Sequence, residues 1–182
     1  MRKKTINDKM INTQFSIFNG QLRISLLILV MFFSCRQVNS EPIPKWKITD
    51  LQEYIAKSDK PLVVNFWATY CGPCIKEIPY FQEVVKQNEK KGVKLLLVSL
   101  DFKESFPQKI DSFANKRKFT SKIVWLDETN ADYFCPKVDT TWSGAMPATL
   151  FINNKTGYHN FFEEEMSKEK FETEMKKILN DQ

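Results

Sequence analysis

The chain holds little glycine, five residues in 182, and a single histidine. No low-complexity tract interrupts it, while hydrophobic residues make up 42% of the whole and phenylalanine fills 15 positions. That balance supplies a core and excludes a disordered chain. Cysteine stands only at 35, 71, 74 and 135, too few to staple a chain of this size as a disulfide scaffold. A second close cysteine pair is missing, and with it the usual ligand set of a structural zinc. The apolar run near the N-terminus falls short of the ~20 residues that a spanning helix needs. The net charge of +5 is not spread over the chain. Residues 1–34 hold Arg2, Lys3, Lys4, Lys9 and Arg23 against Asp8, which leaves 22 basic and 21 acidic side chains in the rest. No basic stripe remains, so nucleic acid is not an expected partner.

What is present begins with a leader. A basic start precedes Ile24-Ser-Leu-Leu-Ile-Leu-Val-Met-Phe-Phe-Ser34, an apolar run of the length found in the core of an export signal. Residues 1–34 therefore read as a signal peptide, with Met10 as an alternative start. Cys35 follows the small residue Ser34 and resembles the lipidated first residue of a bacterial lipoprotein, although Phe32 and Phe33 depart from that pattern. Ordinary cleavage near Val38-Asn39-Ser40 is the other reading. Either one places the mature protein outside the cytoplasm, in the cell envelope or periplasm, and lipidation would tie it to a membrane through its N-terminus. Residues 35–47, with Pro42 and Pro44, read as a tether, and 48–182 as one domain.

Within that domain, Thr49-Asp-Leu-Gln52 resembles a capping box opening a short helix with Leu51, Tyr54 and Ile55 inward. Leu62-Val-Val-Asn-Phe-Trp-Ala68 reads as a strand buried on both faces. A long helix runs from about Gly72 to Lys91, with Ile75, Ile78, Gln82 and Val85 on one face, widened by Phe81 and Val84. Pro79 should kink it and Gly92 should stop it. A strand over 93–100, a helix over 105–118 and a strand over 123–126 follow. Residues 127–145 carry no clear pattern. Strands over 148–152 and 158–162 flank the turn at 153–157, and Ser167 opens a final helix bearing Phe171, Met175, Ile178 and Leu179. This alternation predicts an α/β fold, with a mixed sheet covered by helices on both faces.

The chemistry is concentrated at Cys71-Gly72-Pro73-Cys74, the junction of the buried strand and the long helix. A helix N-terminus offers unpaired N–H groups and partial positive charge, which stabilise a thiolate at Cys71. Cys74 lies one turn further in, within reach of a mixed disulfide on Cys71. Pro73 suits the first helical turn, and Gly72 leaves room for a partner's backbone. The competing reading of a CxxC pair is half of a zinc site, for which only Cys135 and His159 would remain. No metal and no cofactor are expected.

Phe66-Trp67-Ala68-Thr69-Tyr70-Cys71-Gly72-Pro73-Cys74 resembles thioredoxin. With Asn65 before it and Ile75-Lys76-Glu77 after it, the segment is most similar to the TlpA/ResA-like thiol–disulfide oxidoreductases, in element order over about 45–180. That resemblance implies a thioredoxin fold and a redox-active Cys71–Cys74 disulfide. Ala145-Met146-Pro147-Ala148 looks like the family's second landmark, which implies a cis Met146–Pro147 bond and a Met146 backbone free to pair with an extended substrate. Asn65 stands where thioredoxin keeps a buried aspartate, and Glu77 matches a family glutamate implicated in proton transfer to or from Cys74. Trp67 is implied to shield the disulfide, and Tyr70 to form an aromatic lip. The residues assigned to substrate are therefore Trp67, Tyr70, Gly72, Pro73, Met146 and Pro147, and those assigned to chemistry are Cys71, Cys74 and Glu77.

The implied activity is reduction of disulfides in exported proteins, with apocytochrome c as one client. Electrons would come from a membrane thiol carrier. A disulfide oxidant or isomerase, and a Cu(I)-binding chaperone using both thiolates, are the alternatives. Cys135 reads as a buried small hydrophobe or a third redox thiol. Trp125 and Trp142 read as packing residues, His159 as a strand histidine, and Glu163-Glu164-Glu165 as a complement to the last helix's dipole.

Overall fold

The computed structural model describes residues 42–180. The leader and Cys35 lie outside the described residues. One six-stranded mixed sheet runs through the molecule. Its strands are β1 (Lys45–Trp46), β2 (Leu62–Trp67), β3 (Lys94–Ser99), β4 (Lys122–Leu126), β5 (Ala148–Asn153) and β6 (Tyr158–Phe162), in the spatial order β1-β4-β3-β2-β5-β6. Strands β1 to β4 are parallel where they pair, while β5 runs antiparallel to β2, and β6 to β5. The helices are α1 (Ile48–Ala56), α2 (Gly72–Gln87), α3 (Gln108–Arg117), α4 (Ala131–Val138) and α5 (Lys168–Asn180). Among the described residues no helix is long and apolar enough to cross a membrane.

Side chains of a strand alternate between faces, and that period sorts the core in two. Val63, Trp67, Leu95, Leu97 and Phe151 point to the face covered by Ile78 and Phe81 of α2, Ile110 of α3, and Phe171 and Met175 of α5. Leu62, Val64, Phe66, Leu96, Val98 and Leu150 point to the face covered by Ile48 and Leu51 of α1 and Phe134 and Val138 of α4. Every residue of β2 is buried, as its apolar composition requires.

Several expectations are corrected. Residues 42–47 are not all tether. Ile43 is buried, and Lys45–Trp46 adds an edge strand against Trp125–Leu126. The box at α1 is closed two residues earlier than expected: the Lys47 N–H donates to the Asp50 carboxylate at 2.7 Å, with Thr49 already inside the helix. Helix α2 ends at Gln87, and a 3₁₀ turn covers Glu89–Lys91 before Gly92, whose φ of 77° makes the stop. Pro79 lies within the helix and faces solvent. The buried face of α2 is Cys74, Glu77, Ile78, Phe81 and Val84, with Ile75, Gln82 and Val85 half-buried at the margin. The unpatterned stretch 127–145 contains α4, with Pro136 in its last turns.

Candidate functional site

Three chain segments meet beyond the carboxyl ends of the central strands, where open α/β sheets present their sites. Trp67 of β2 pairs with Ser99 of β3, and Phe66 pairs with Ala148 of β5. This register brings together the segment 68–71 leaving β2, the segment 100–107 leaving β3, and the segment 143–147 entering β5.

The first segment carries the cysteines. Cys71 is the N-cap of α2, and its sulfur accepts the Cys74 N–H at 3.4 Å. Pro73 stands in the first helical turn, where no N–H is needed. Cys71 and Cys74 are joined as a disulfide, the state of the couple in this structure. Cys71 keeps 9% of its surface exposed and Cys74 none, so a partner reaches the former first. A methyl group added at Gly72 would meet no atom within 4 Å, so the strip beside the disulfide is open.

Asp101 holds this segment from below. Its buried carboxylate accepts the Thr69 N–H, the Thr69 hydroxyl at 2.5 Å and the Ser99 hydroxyl at 2.8 Å. Trp125 donates its indole N–H to the Asp101 carbonyl at 2.7 Å. Beside it, Tyr70 and Phe102 stack 5.4 Å apart while remaining 56% and 67% exposed. The aromatic lip expected of Tyr70 is thus a pair. The sequence reading missed Asp101 and Phe102. Their signal was position, directly after a strand that ends beside the cysteine loop.

Trp67 does not belong to that lip. It is fully buried and packs against Phe113 and Phe119, 6.1 and 5.3 Å away. As the last residue of β2 its side chain points into the helix-covered core beneath the disulfide, so it can support the cysteines but offers a substrate no surface.

Beneath the cysteines lies a buried polar group. Glu77 is one turn beyond Cys74 on the same inward face of α2, and both are fully buried. Asn65 reaches Glu77 because period two turns it to the α2 side of β2. Its amide donates to Glu77 Oε1 at 2.8 Å and to Thr149 Oγ1 at 3.1 Å. The second carboxylate oxygen accepts the Met166 N–H at 3.1 Å. Burial pushes the Glu77 carboxyl up to about 7, with the Met166 N–H and the Asn65 amide pulling the other way. Asn65 Oδ1 is buried and has no partner. A half-turn of this amide would offer that oxygen to a protonated Glu77, so one side chain can serve both protonation states.

The third segment carries the proline. Met146–Pro147 is cis, as the resemblance implied. Phe106–Pro107 is also cis, which nothing in the sequence signalled. Pro147 is buried and Met146 half-buried against the core cluster that includes Cys71 and Cys74.

The remaining residues take quieter places. Cys135 is a free, buried thiol on the other face of the sheet, and burial pushes it up to about 11. His159 meets the Asp139 carboxylate at 2.8 Å. Trp142 packs on Phe66 at 4.4 Å and donates its indole N–H to the Ala145 carbonyl at 2.9 Å. Trp125 stacks on Phe106. Glu163 does not complement a helix dipole; its carboxylate accepts the N–H groups of Ser143 and Ala145. Among the described residues no three His, Cys, Asp or Glu side chains converge where a metal ion could sit.

Comparison with known proteins agrees with this arrangement. The AhpC/TSA family model matches residues 39–157. The thiol–disulfide oxidoreductase ResA of Oceanobacillus iheyensis is 26% identical over 167 residues, covering 83% of this chain and 82% of that protein. ResA of Geobacillus kaustophilus is 28% identical over 139 residues, 74% of this chain and 75% of that protein. Among solved structures, a thioredoxin-related protein from Neisseria meningitidis serogroup B superposes with a TM-score of 0.57 at 26% identity, over 69% of this chain and 88% of that one. A thioredoxin-family thiol:disulfide interchange protein from Chlorobium tepidum shares the fold, with a TM-score of 0.54 over 78% of this chain and 99% of that one at 17% identity. With its thioredoxin fold and its Cys71–Cys74 pair, the chain belongs to the AhpC/TSA family and is a ResA-like thiol–disulfide oxidoreductase.

Proposed function

We propose that the protein reduces disulfides of exported polypeptides outside the cytoplasm. The observation that carries this reading is Glu77, a buried carboxylate one turn from Cys74, which burial pushes up to about 7 against the opposing pull of the Met166 N–H and the Asn65 amide. A carboxyl that titrates near the working pH is suited to moving a thiol proton.

In the reduced enzyme, the Cys71 thiolate attacks one sulfur of the client disulfide. That S–S bond breaks, the client's other sulfur leaves as a thiolate, and a mixed disulfide with Cys71 remains. Glu77 takes the Cys74 proton. The Cys74 thiolate then attacks Cys71 Sγ, releases the client's second thiolate and closes the Cys71–Cys74 disulfide. The client gains two electrons and the enzyme loses two, which a membrane thiol carrier restores. The client segment lies along the Met146 backbone by strand addition, over the open strip at Gly72 and Pro73, with Tyr70 and Phe102 as its aromatic border. Export rests on the apolar leader, and attachment to the membrane on lipidation of Cys35. Apocytochrome c is one client of the kind expected.

The reduction potential of the Cys71–Cys74 couple tests the direction. A value near or below about −270 mV supports the reductase, whereas a value near −120 mV assigns the chain to disulfide donation instead. Fatty-acid labelling of the expressed full chain tests the anchor. An unlabelled product starting near Glu41 leaves a free exported enzyme.

A further inference from the structure

The short connection between β6 and α5 touches both halves of the redox site. Its Met166 N–H holds Glu77, as described, and the Met166 carbonyl accepts the Tyr80 hydroxyl. Three residues earlier, Glu163 is wrapped by the segment that leads to the cis proline. Its carboxylate accepts the Ser143 N–H at 3.1 Å, the Ser143 hydroxyl at 2.5 Å and the Ala145 N–H at 2.7 Å. The Gly144 N–H also faces it, and Gly144 has a φ of 100°, a backbone turn that favours glycine. Desolvation opposes the charge on Glu163, but the Ser143 hydroxyl and the surrounding N–H groups outweigh it and hold the carboxyl below the usual range. Three successive N–H groups curled around one anion form a nest, here with the anion supplied by the chain itself.

Ala145 is therefore fixed from both ends. Its N–H goes to Glu163, and its carbonyl accepts the Trp142 indole N–H at 2.9 Å. The next residue is Met146, whose backbone would pair with a client, followed by the cis bond to Pro147. We propose that Glu163 is a positioning residue which holds the Met146 backbone in register for an extended client, so that recognition of polypeptide disulfides over small ones depends on it. This rests on the reading of the chain as a reductase of polypeptide disulfides.

The test uses the purified full-length protein, pre-reduced, in single-turnover reactions followed by tryptophan fluorescence. One substrate is a peptide joined to a second copy by a single cysteine disulfide, and the other is bis(2-hydroxyethyl) disulfide, which has no backbone to pair. For Glu163→Gln the half-saturating concentration of the peptide disulfide should rise about tenfold, the scale of one lost charge-assisted hydrogen bond. The limiting rate on the peptide and the rate on the small disulfide should move less than twofold. Ser143→Ala, which removes only the hydroxyl donor, should give the same split at smaller size and serves if Glu163→Gln does not fold. Glu164→Gln, at an exposed neighbour that pairs with Lys170, should leave both substrates unchanged. A wild-type enzyme that reduces neither substrate would sink the functional reading. A wild-type enzyme that reduces both, with Glu163→Gln slowed equally on the two or on neither, overturns the positioning role alone.

Discussion

Each face of the sheet buries a titratable group whose carboxyl or thiol is pushed up, with opposite results. On the α2 side, Glu77 is sealed from solvent yet accepts hydrogen bonds from the Asn65 amide, itself tied to Thr149, and from the Met166 N–H. Its carboxyl stands at about 7, where a small change in surroundings moves its proton. On the α1/α4 side, Cys135 belongs to the apolar cluster that includes Leu62, Phe66, Val98 and Trp142. Burial, with Glu163 and Asp132 adding like charge, pushes it up to about 11 and silences it as a nucleophile. Desolvation acts in the same direction on both groups. What differs is whether partners for the charged form are built in, and how far the ordinary value lies from neutrality.

The sharpest break of this comparison is among the cysteines. Cys71→Ser should abolish disulfide exchange, whereas Cys74→Ser should accumulate mixed disulfides through Cys71, read by mass spectrometry of trapped adducts. Adducts carried by Cys74 with Cys71 inert would reverse the assignment. Next comes Glu77→Gln, which keeps the size but removes the titration. Resolution of the mixed disulfide should slow toward the low end of the roughly 10²–10⁴-fold range of acid–base catalysis, with an altered profile between pH 5 and 9 in stopped-flow reduction. An unchanged profile would make water the proton acceptor.

The same substitution has a stability signature. The folded-state pKa of about 7 lies above the ordinary 4.5, so between these values the folded protein keeps a proton that the unfolded chain has released. Stability is therefore favoured below pH 4.5 and falls as pH rises through 7, by on the order of 3 kcal/mol for this group. Glu77→Gln should remove that slope, which urea unfolding at pH 5 and pH 8 would measure. A slope that survives in the variant assigns it to other groups. The smallest effect is expected on the quiet face: Cys135→Ala should cost about 1 kcal/mol of stability and leave the exchange rate unaltered. A slower rate would give the third thiol a part in the reaction.

Most of the architecture was legible because it repeats locally. The strands at 62–67, 94–99 and 148–153 carry apolar runs, and α5 carries its buried stripe at helical spacing. What escaped was short or carried a misleading local signal. Strand β1 has two residues, and its pairing partner lies 80 positions away, at Trp125 and Leu126. Helix α4 has eight residues and contains Pro136, which reads as a breaker even though it falls in the last turns. In the site, the cysteine pair, Glu77, Tyr70 and the cis proline were readable from motif and resemblance. Asp101, Phe102 and Glu163 were not, because each acts on a segment distant in sequence, and an acidic run beside a helix has a simpler local explanation.

The amino-acid sequence by itself determined the thiol pair, its seat at a helix N-terminus and the alternation of strands and helices, since these depend on neighbours within a few residues. It also placed Asn65 where thioredoxin has an acid. Only the tertiary structure decided which carboxyl Asn65 meets. Strand register turned Asn65 toward α2, helix packing sealed Glu77 beneath Cys74, and the connection before α5 supplied the Met166 N–H. A carboxyl's pKa is set by the solvent it loses and the dipoles it gains, and both come from segments that meet only when the chain is folded.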